Sequence, residues 1–502
     1  MLFNSFGFLL IYLPLVLAGY AWLGRYGARP AMTWLALASL AFYGYWDVRY
    51  LPLLLGSIAG NFWCAGRIAA VQGGVRKRWL WAALGANLLL LAYYKYANFF
   101  VDTVGVLAGR HWQGWAVVLP IGISFFTFTQ IAFLVDCWRG QAREPDLVRY
   151  GLFVSYFPHL IAGPVLHHKE MMPQFADPAN ARLRAANVAL GMSIFIVGLA
   201  KKTLIADNLA PMVAPVFATG AHPQLLEAWL GTLAYSCQLY FDFSGYSDMA
   251  IGLSRLFGVK LPLNFNSPYK AGDIGAFWRR WHMTLSRFLR DYLYVPLGGN
   301  RLGPARRDGN LMTTMLLGGL WHGAGWTFVL WGGLHGLYLV VHRGWQRLGG
   351  DGAPHWWHRP LTFLAVMLAW VLFRAPDLAT AGELYRALAG AAGLSLPHGW
   401  GAAGHCLAQA GLHPSFEGLR WIDFGGLGPP TLVLALLLAF FAPNTQEIFF
   451  QYEPAIERIF HGADRPMLVW RPSKVWGVAF LALFLGCLFS INKVSEFLYF
   501  QF

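Results

Sequence analysis

The chain has 502 residues, of which 57% are hydrophobic and 12% charged, and its mean hydropathy is +0.45. A soluble protein would carry about 25% charged residues, so this composition excludes a soluble globular domain. It predicts an all-α polytopic membrane protein. The formal net charge of +14 is explained by basic loops at one membrane face, and nucleic-acid binding is not needed to account for it.

Apolar runs of the length that a spanning helix needs recur along the whole chain. The first run lacks a positively charged start and is followed at once by further runs, so we expect a retained helix, not a signal peptide. We expect about eleven crossings, with some runs forming half-helices or re-entrant segments. The candidate segments are 6–24, 31–47, 49–70, 79–99, 116–137, 148–166, 186–206, 226–257, 310–329, 328–344, 361–375, 430–443 and 474–492.

Basic loops between these runs indicate the cytoplasmic face of the membrane. The strongest extends from Lys270 to Arg307. The segment 388–428 is rich in glycine and nearly free of positive charge, so we expect an exposed loop at the opposite, periplasmic face. The five cysteines lie far apart and form no CxxC pair, which supports neither a disulfide framework nor a zinc site, and no metal site is predicted.

Polar residues inside apolar runs are costly and are therefore candidates for function. A first group lies in QLYFDFSGYSDMAIG (238–252) and comprises Gln238, Asp242, Ser244, Tyr246 and Asp248. The two aspartates need hydrogen-bond donors, for which Gln238, Tyr246 or an arginine of the basic loop are candidates. The pattern fits either a packing network between helices or the wall of a polar tunnel to which Asp242 and Tyr246 contribute.

A second group interleaves arginines with aromatic rings in FWRRWHMTLSRFLRDYLYVPLGGNR (277–301). Such a segment suits the bilayer interface, where rings and cations meet lipid headgroups. It also suits a nucleotide-bearing donor, because arginines bind phosphates and rings stack on a base. His282 is either a residue of that site or an interfacial residue. The candidate binding residues are Trp278, Arg279, Arg280, Trp281 and Arg287.

A third group places His322 inside LLGGLWHGAGWTFVLWGGLHG (316–336), a run of glycine and apolar residues. Gly323 and Gly325 weaken the helix directly after it, and a break there would expose the imidazole to a cavity with Trp321 and Trp326 as walls. A neutral imidazole in a dry pocket is a plausible general base. The alternative is a histidine that is satisfied within the core.

The same run contains glycines that let helix backbones approach closely, at 318, 319, 332 and 333. His335 and His342 follow at helical spacing, and we expect packing or interface roles for both. No phosphate-binding loop, G-x-S-x-G elbow, H-E-x-x-H motif or dinucleotide fingerprint competes with these groups.

Taken together, these motifs resemble the signature of the membrane-bound O-acyltransferase (MBOAT) family. The resemblance extends to the bacterial branch that contains the membrane subunit of alginate O-acetylation and its cellulose-acetylation homologue. It runs from about residue 5 to the C-terminus and is weakest across 376–470. Besides 277–301 and 316–336, the matching stretches are LPIGISFFTFTQIAFLVDCWRG (119–140), FPHLIAGPVLHHKEM (157–171) and QLYFDFSGYSDMAIGL (238–253).

The resemblance implies one MBOAT domain over 1–502, with a catalytic core at about 116–345 and C-terminal helices and tail over 361–502. Its fold would be a ring of transmembrane helices, with re-entrant and interfacial helices, around a central tunnel. The family's active-site histidine would fall on His322, and the second, more variable polar position of the site on His282.

The donor implied by the resemblance is cytoplasmic acetyl-CoA, which is not a permanently bound cofactor. Arg279, Arg280 and Arg287 would hold its phosphates, and His322 would act as the base. The acetyl group would cross the bacterial inner membrane to an exopolysaccharide hydroxyl, alginate or cellulose-like, with a periplasmic SGNH-type acetyltransferase as partner.

The last six residues, FLYFQF (497–502), resemble the C-terminal motif of a small membrane protein that works with another MBOAT enzyme in teichoic-acid D-alanylation. By that analogy Tyr499 would carry the acyl group, with His322 as the base for a phenol whose reference pKa is about 10. The other interpretation is an aromatic anchor at the membrane interface.

Two other functions remain open. The same fold could acetylate peptidoglycan or transfer D-alanine to teichoic acid. A transporter or channel would explain buried aspartates and broken helices, but it would not explain the arginine–aromatic segment, and no internal repeat supports it.

Overall fold

The chain folds into helices that are joined by short irregular segments. The computed structural model describes residues 1–110, 114–161, 163–301, 303–350, 355–397, 399–409, 414–416, 419–459, 468–491 and 497–498. Among these residues the only β-type pairing is an isolated bridge between Ser395 and Ser415. The predicted all-α class is therefore confirmed for this part of the chain.

The first five helices lie before the segment that carries the candidate site. Two of them, α1 and α3, have a proline in the first turn. The missing N–H of proline costs no hydrogen bond there, because the first N–H groups of a helix have no acceptor within it. A π-helical turn, Gly7–Tyr12, precedes α1, and a second, Ala92–Tyr96, joins α4 to α5. The bounds are α1 Leu13–Leu23, α2 Ala28–Gly44, α3 Leu51–Ala70, α4 Gly73–Leu91 and α5 Ala97–Leu107.

The central helices include α11, the longest helix among the described residues. It begins with a reciprocal capping box between Gln224 and Glu227. A π-helical turn, Lys201–Ala206, joins α9 to α10. The bounds are α6 Ile123–Trp138, α7 Leu147–Ser155, α8 His168–Ala176, α9 Ala185–Ala200, α10 Asp207–Val213 and α11 Leu225–Leu256. The segment predicted at 148–166 is therefore helical only in its first half.

The remaining helices include α18, which lies inside the segment 388–428 that was expected to be a loop. The bounds are α12 Ile274–Trp278, α13 Met283–Leu289, α14 Gly303–His322, α15 Trp326–Arg347, α16 His358–Arg374, α17 Leu378–Leu388, α18 Gly401–Gln409, α19 Gly428–Phe441, α20 Thr445–Ile448 and α21 Lys474–Ser490.

Three helical stretches among the described residues are long and apolar enough to cross a membrane, namely Gly7–Tyr26, Val48–Ala70 and Ala185–Val213. Shorter apolar helices occur at Ile123–Trp138, Gly428–Phe441 and Lys474–Ser490. These lengths agree with a membrane protein, and the expected total of about eleven crossings stays a prediction.

Helices α9 and α11 form the centre of the fold and touch along a line of glycines. A Cβ on Gly191 would lie 2.6 Å from the carbonyl oxygen of Gly252, and one on Gly245 would lie 2.7 Å from that of Gly198. Only glycine permits so close an approach of two backbones. The pairing holds α11, which carries the predicted polar group, tightly against α9.

Candidate active site

His322 is the last residue of α14, and the chain leaves the helix directly after it. Gly325 has extended backbone angles, and α15 starts at the next residue, Trp326. The break that Gly323 and Gly325 predict is therefore confirmed. The close approach of α14 and α15 is confirmed as well, because a Cβ on Gly332 would lie 3.2 Å from the Cα of Gly319.

Aromatic rings enclose the His322 imidazole, which is buried. Its ring centroid lies 4.9 Å from that of Trp321, 5.1 Å from Trp331 and 5.3 Å from Phe373. Sequence reasoning identified Trp321 but missed Trp331 and Phe373, which come from α15 and α16. An enclosure of this kind keeps water away from the imidazole and strengthens its interactions with any reacting group.

His282 lies beside His322, and the two ring centroids are 6.3 Å apart. Its backbone is left-handed, with φ +43° and ψ +53°, directly before α13. This conformation is strained for a residue other than glycine, and such strain occurs preferentially at functional sites. The distance of 6.3 Å between their rings shows that the structure brings together the two histidines that the sequence singled out.

A polar chain fixes the orientation of the His282 ring. Its Nδ1 lies 3.2 Å from the side-chain oxygen of Asn264, which also accepts a 2.6 Å hydrogen bond from the Thr284 hydroxyl. That hydroxyl accepts a hydrogen bond from the backbone N–H of Val165 at 2.9 Å. An amide oxygen facing Nδ1 favours the tautomer in which Nδ1 carries the proton and Nε2 is left as the basic nitrogen.

Lys95, in the turn between α4 and α5, reaches the end of α14. Its ammonium donates to the carbonyl oxygens of Trp321 at 2.5 Å and His322 at 3.1 Å. Sequence reasoning missed this residue, although a lysine inside the apolar run 79–99 is costly in a membrane for the same reason as the other polar groups. Asn264 was missed as well, because it lies in an irregular segment without a recognisable motif.

The arginine–aromatic segment is divided between the surface and the interior. Arg279 is exposed, with its guanidinium 4.0 Å from Asp273, whereas Arg287 forms two hydrogen bonds to the carboxylate of Glu170 at 2.5 and 2.9 Å. Arg280 is half-buried. Of the three predicted phosphate ligands, Arg279 thus reaches the surface, whereas Arg280 and Arg287 are half-buried and Arg287 is engaged in an ion pair.

The tryptophans of that segment pack inward. The ring of Trp281 lies 5.0 Å from that of Trp370, and the ring of Trp278 lies 5.1 Å from that of His335. His335 is fully buried among aromatic rings, as expected for a packing residue. Trp326 differs from its predicted role as a cavity wall, because it is 51% exposed and packs on Phe99.

His342 lies near the surface beside Asp273, with 3.5 Å between its Nε2 and the carboxylate. An interface role was expected for it, and this placement agrees with that expectation.

The aspartates of α11 form ion pairs with two lysines of the π-helical turn after α9. Lys202 contacts Asp242 at 2.7 Å, and Lys201 contacts Asp248 at 2.6 Å. The predicted donors, Gln238, Tyr246 or an arginine of the basic loop, are therefore not the ones that form these ion pairs, because the glycine line brings the turn after α9, with its two lysines, against α11. Buried pairs of this kind match the packing network, the first of the two interpretations of this group.

Tyr246 stacks on Phe3 with ring centroids 4.8 Å apart and contacts Phe497 at 4.6 Å. The backbone N–H of Leu498 donates to Asp242 at 3.1 Å. The C-terminal segment thus returns to the polar group of α11. Tyr499 itself lies outside the described residues.

One cluster among the described residues could hold a metal ion, with ligand atoms of Asp136, His167 and His168 all within 4.8 Å of one another. The Asp136 carboxylate already accepts a hydrogen bond from Tyr292 at 2.9 Å and lies 3.4 Å from Arg139. Burial lowers the pKa of His168 to about 4, which keeps its imidazole neutral. Through these contacts the cluster forms a polar network that joins α6, α8 and the turn after α13.

The sequence model of MBOAT, the membrane-bound O-acyltransferase family, matches residues 122–376. These residues include both histidines, Asn264 and the arginine–aromatic segment, and they end just after Phe373. Lys95 lies outside the matched residues.

The chain is similar to proteins whose names refer to three different polymers: peptidoglycan, alginate and teichoic acid. The peptidoglycan O-acetyltransferase of Helicobacter pylori is 45% identical over 430 residues, which cover 79% of this chain and 81% of that protein. The probable alginate O-acetylase AlgI of Pseudomonas aeruginosa is 43% identical over 402 residues, covering 77% and 75%. The teichoic acid D-alanyltransferase of Streptococcus thermophilus is 29% identical over 238 residues, covering 45% and 57%.

Proposed function

This chain belongs to the membrane-bound O-acyltransferase family and is an acyltransferase of the membrane, and we propose that it moves acetyl groups from acetyl-CoA to a polysaccharide. In this proposal the protein spans the bacterial inner membrane several times, takes its donor from the cytoplasm and delivers the acetyl group on the periplasmic side. The observation that carries the proposal is the pair of buried histidines, His322 and His282, at a broken helix end inside the family's matched region.

The reaction needs little beyond positioning and a base, because a thioester is already activated. His322 accepts the proton of the attacking hydroxyl group while the oxygen of that hydroxyl group bonds to the acetyl carbon. The carbon–sulfur bond then breaks, and the proton passes from the imidazole to the departing CoA thiolate. His282, with its Nδ1 directed at Asn264, lies where it can bind the thioester or the hydroxyl.

The donor's phosphates are assigned to the exposed arginines of the segment 277–301. Arg279 reaches the surface and Arg280 partly so, and guanidinium groups bind phosphate in a planar, two-pronged way. Arg287 supports the site indirectly through its ion pair with Glu170. Trp278, Trp281 and Trp321 supply the apolar walls.

The leading acceptor is an exopolysaccharide of the alginate or cellulose type, reached with the help of a periplasmic SGNH-type transferase. Peptidoglycan is the second candidate, which the 45% identity to the Helicobacter pylori peptidoglycan O-acetyltransferase supports, beside the 43% identity to the alginate O-acetylase AlgI of Pseudomonas aeruginosa. D-alanyl transfer has weaker support, since the teichoic acid D-alanyltransferase aligns with only 45% of this chain.

The test is His322→Ala in cells, with His405→Ala as the control because His405 is an exposed histidine of α18. Base-labile acetate is measured separately in purified exopolysaccharide and in peptidoglycan. We expect His322→Ala to lower acetylation roughly 100- to 10,000-fold, the usual contribution of a general base. The polymer that loses acetate identifies the acceptor. Normal acetylation of both polymers, with the variant protein present in the membrane, would refute the proposal.

A further inference from the structure

Lys95 places an amine with three hydrogen-bond donors, when protonated, in a mainly apolar part of the chain. It lies in the π-helical turn Ala92–Tyr96. Its ammonium donates to the carbonyl oxygens of Trp321 and His322 and lies 5.8 Å from the centre of the Trp321 ring. Placing a cation there is costly in a membrane protein unless a specific interaction compensates.

The neighbouring residue, Tyr96, contributes a third hydrogen bond to the same helix end. The hydroxyl of Tyr96 donates to the carbonyl oxygen of Leu320 at 3.0 Å. Three consecutive carbonyls of α14, at residues 320, 321 and 322, thus receive hydrogen bonds from side chains of one turn. The last carbonyls of a helix lack partners within the helix, and a cation is favourable there because it opposes the negative end of the helix dipole.

The position of the His322 ring depends on how α14 ends. His322 is the last helical residue, and the segment 323–325, which contains two glycines, follows it. Glycines by themselves leave such an end free to fray or to extend by part of a turn. Fraying would release the backbone angles of His322 and turn the imidazole away from His282, because a side chain's direction around a helix axis is fixed by its helical register, at 100° per residue.

We propose that Lys95 is a positioning residue for His322, acting by fixing the carbonyl end of α14. The inference rests on the proposed function, in which His322 is the base. It adds a residue from outside the region that the family model matches. Lys95 contributes through the backbone of His322 and not through the reacting atoms.

The test compares Lys95→Met, which keeps the length of the side chain, with Lys95→Arg, which keeps the charge and the donors. Lys77→Met is the control, because Lys77 is an exposed lysine of the preceding helix, α4. Membrane vesicles that contain the full-length protein receive radiolabelled acetyl-CoA. The rate at which label enters polysaccharide, divided by the amount of protein, gives kcat and the KM for acetyl-CoA. The melting temperatures of the purified variants are measured as well.

We expect Lys95→Met to lower kcat roughly 10- to 100-fold, the effect of a small displacement of a catalytic group, with KM and the melting temperature close to wild type. Lys95→Arg should recover most of kcat, and Lys77→Met should match wild type. An unchanged kcat in Lys95→Met would overturn the inference. So would a loss of kcat that follows the melting temperature and that arginine fails to restore.

His322→Ala is assayed in the same vesicles. Its activity, if retained, would reject the proposed function itself. Loss in His322→Ala together with full activity in Lys95→Met would reject only the role of Lys95.

Discussion

The side-chain amide of Asn264 favours the tautomer of His282 in which Nε2 is the basic nitrogen. The amide oxygen faces Nδ1 at 3.2 Å and also accepts the hydrogen bond of Thr284 at 2.6 Å. The backbone strengthens this link, since the N–H of Met283 donates to the carbonyl oxygen of Asn264 at 3.0 Å. The strained backbone of His282 is thus held from both the side chain and the main chain of one residue.

Replacing Asn264 by alanine should reduce acetyl transfer roughly 10-fold, since one buried hydrogen bond is worth about 1–1.5 kcal/mol. The rate of label transfer from acetyl-CoA in membrane vesicles measures the effect. Asn266→Ala is the matched control, because Asn266 lies in the same segment but bonds to Asn444. Equal rates in the two variants would show that the amide of Asn264 does not orient His282.

At the level of residues, the local pattern predicted the helix break after His322, whereas the resemblance to the family selected that histidine as the candidate base. Gly323 and Gly325 predict a helix break directly after His322, and the structure contains that break. Trp331 and Phe373 could not be selected, because each is one of many aromatic residues in apolar helices. Their proximity to His322 arises from the packing of three helices, which no local pattern encodes.

Among the elements, helices α9 and α11 depend on glycine where they touch. The Cβ of any other residue at Gly245 would lie 2.7 Å from the carbonyl oxygen of Gly198 and 3.1 Å from the Cβ of Lys201. Lys201 and Lys202 pair with the aspartates of α11 from this region. Separation of the helices would therefore also lengthen the two ion pairs.

Gly245→Val should destabilise the protein by roughly 1–3 kcal/mol, the usual cost of overpacking a tight core, and more if an ion pair opens. The melting temperature of the purified protein measures this. Gly85→Val in α4 adds the same side chain where a Cβ meets nothing within 4 Å, and it should melt close to wild type. A similar loss in both variants would contradict the role assigned to the glycine line.

Helix boundaries were predicted less well than the helices themselves, and proline explains two of the differences. The segment 148–166 stops being helical at Ser155, close to Pro158, because the residue before a proline disfavours helical angles. The segment 116–137 begins its helix only at Ile123, after Pro120 and after Gly122 at φ +72°. Hydropathy alone does not predict these helix ends, since both segments are predominantly apolar.

At the scale of the whole molecule, the end of the chain returns to the candidate site. The Phe497 ring lies 6.1 Å from that of Phe243, which in turn packs against His282 at 4.8 Å. The backbone N–H of Leu498 donates to Asp242. These contacts hold the residue just before Tyr499 in the polar group of α11, which favours a role for the C-terminal segment in acyl transfer.

Tyr499 is proposed to accept the acetyl group before it passes to the polysaccharide. Its phenolic oxygen would bond to the acetyl carbon as the carbon–sulfur bond of acetyl-CoA breaks, with His322 moving the proton to the thiolate. Tyr499→Phe keeps the ring and removes the nucleophile, so we expect acetylation of the polymer to cease. Tyr452→Phe removes the hydroxyl of a tyrosine beside Trp470, and we expect normal acetylation.

Mass spectrometry of the C-terminal peptide separates the carrier role from that of an aromatic anchor. After incubation with acetyl-CoA, the wild-type peptide should gain one acetyl group on Tyr499, and the peptide of His322→Ala should gain none. An anchor requires only the ring, so full activity in Tyr499→Phe with an unmodified wild-type peptide would favour the anchor. Direct transfer from acetyl-CoA to the polysaccharide would then remain, because His322 needs only a hydroxyl and a thioester within its reach.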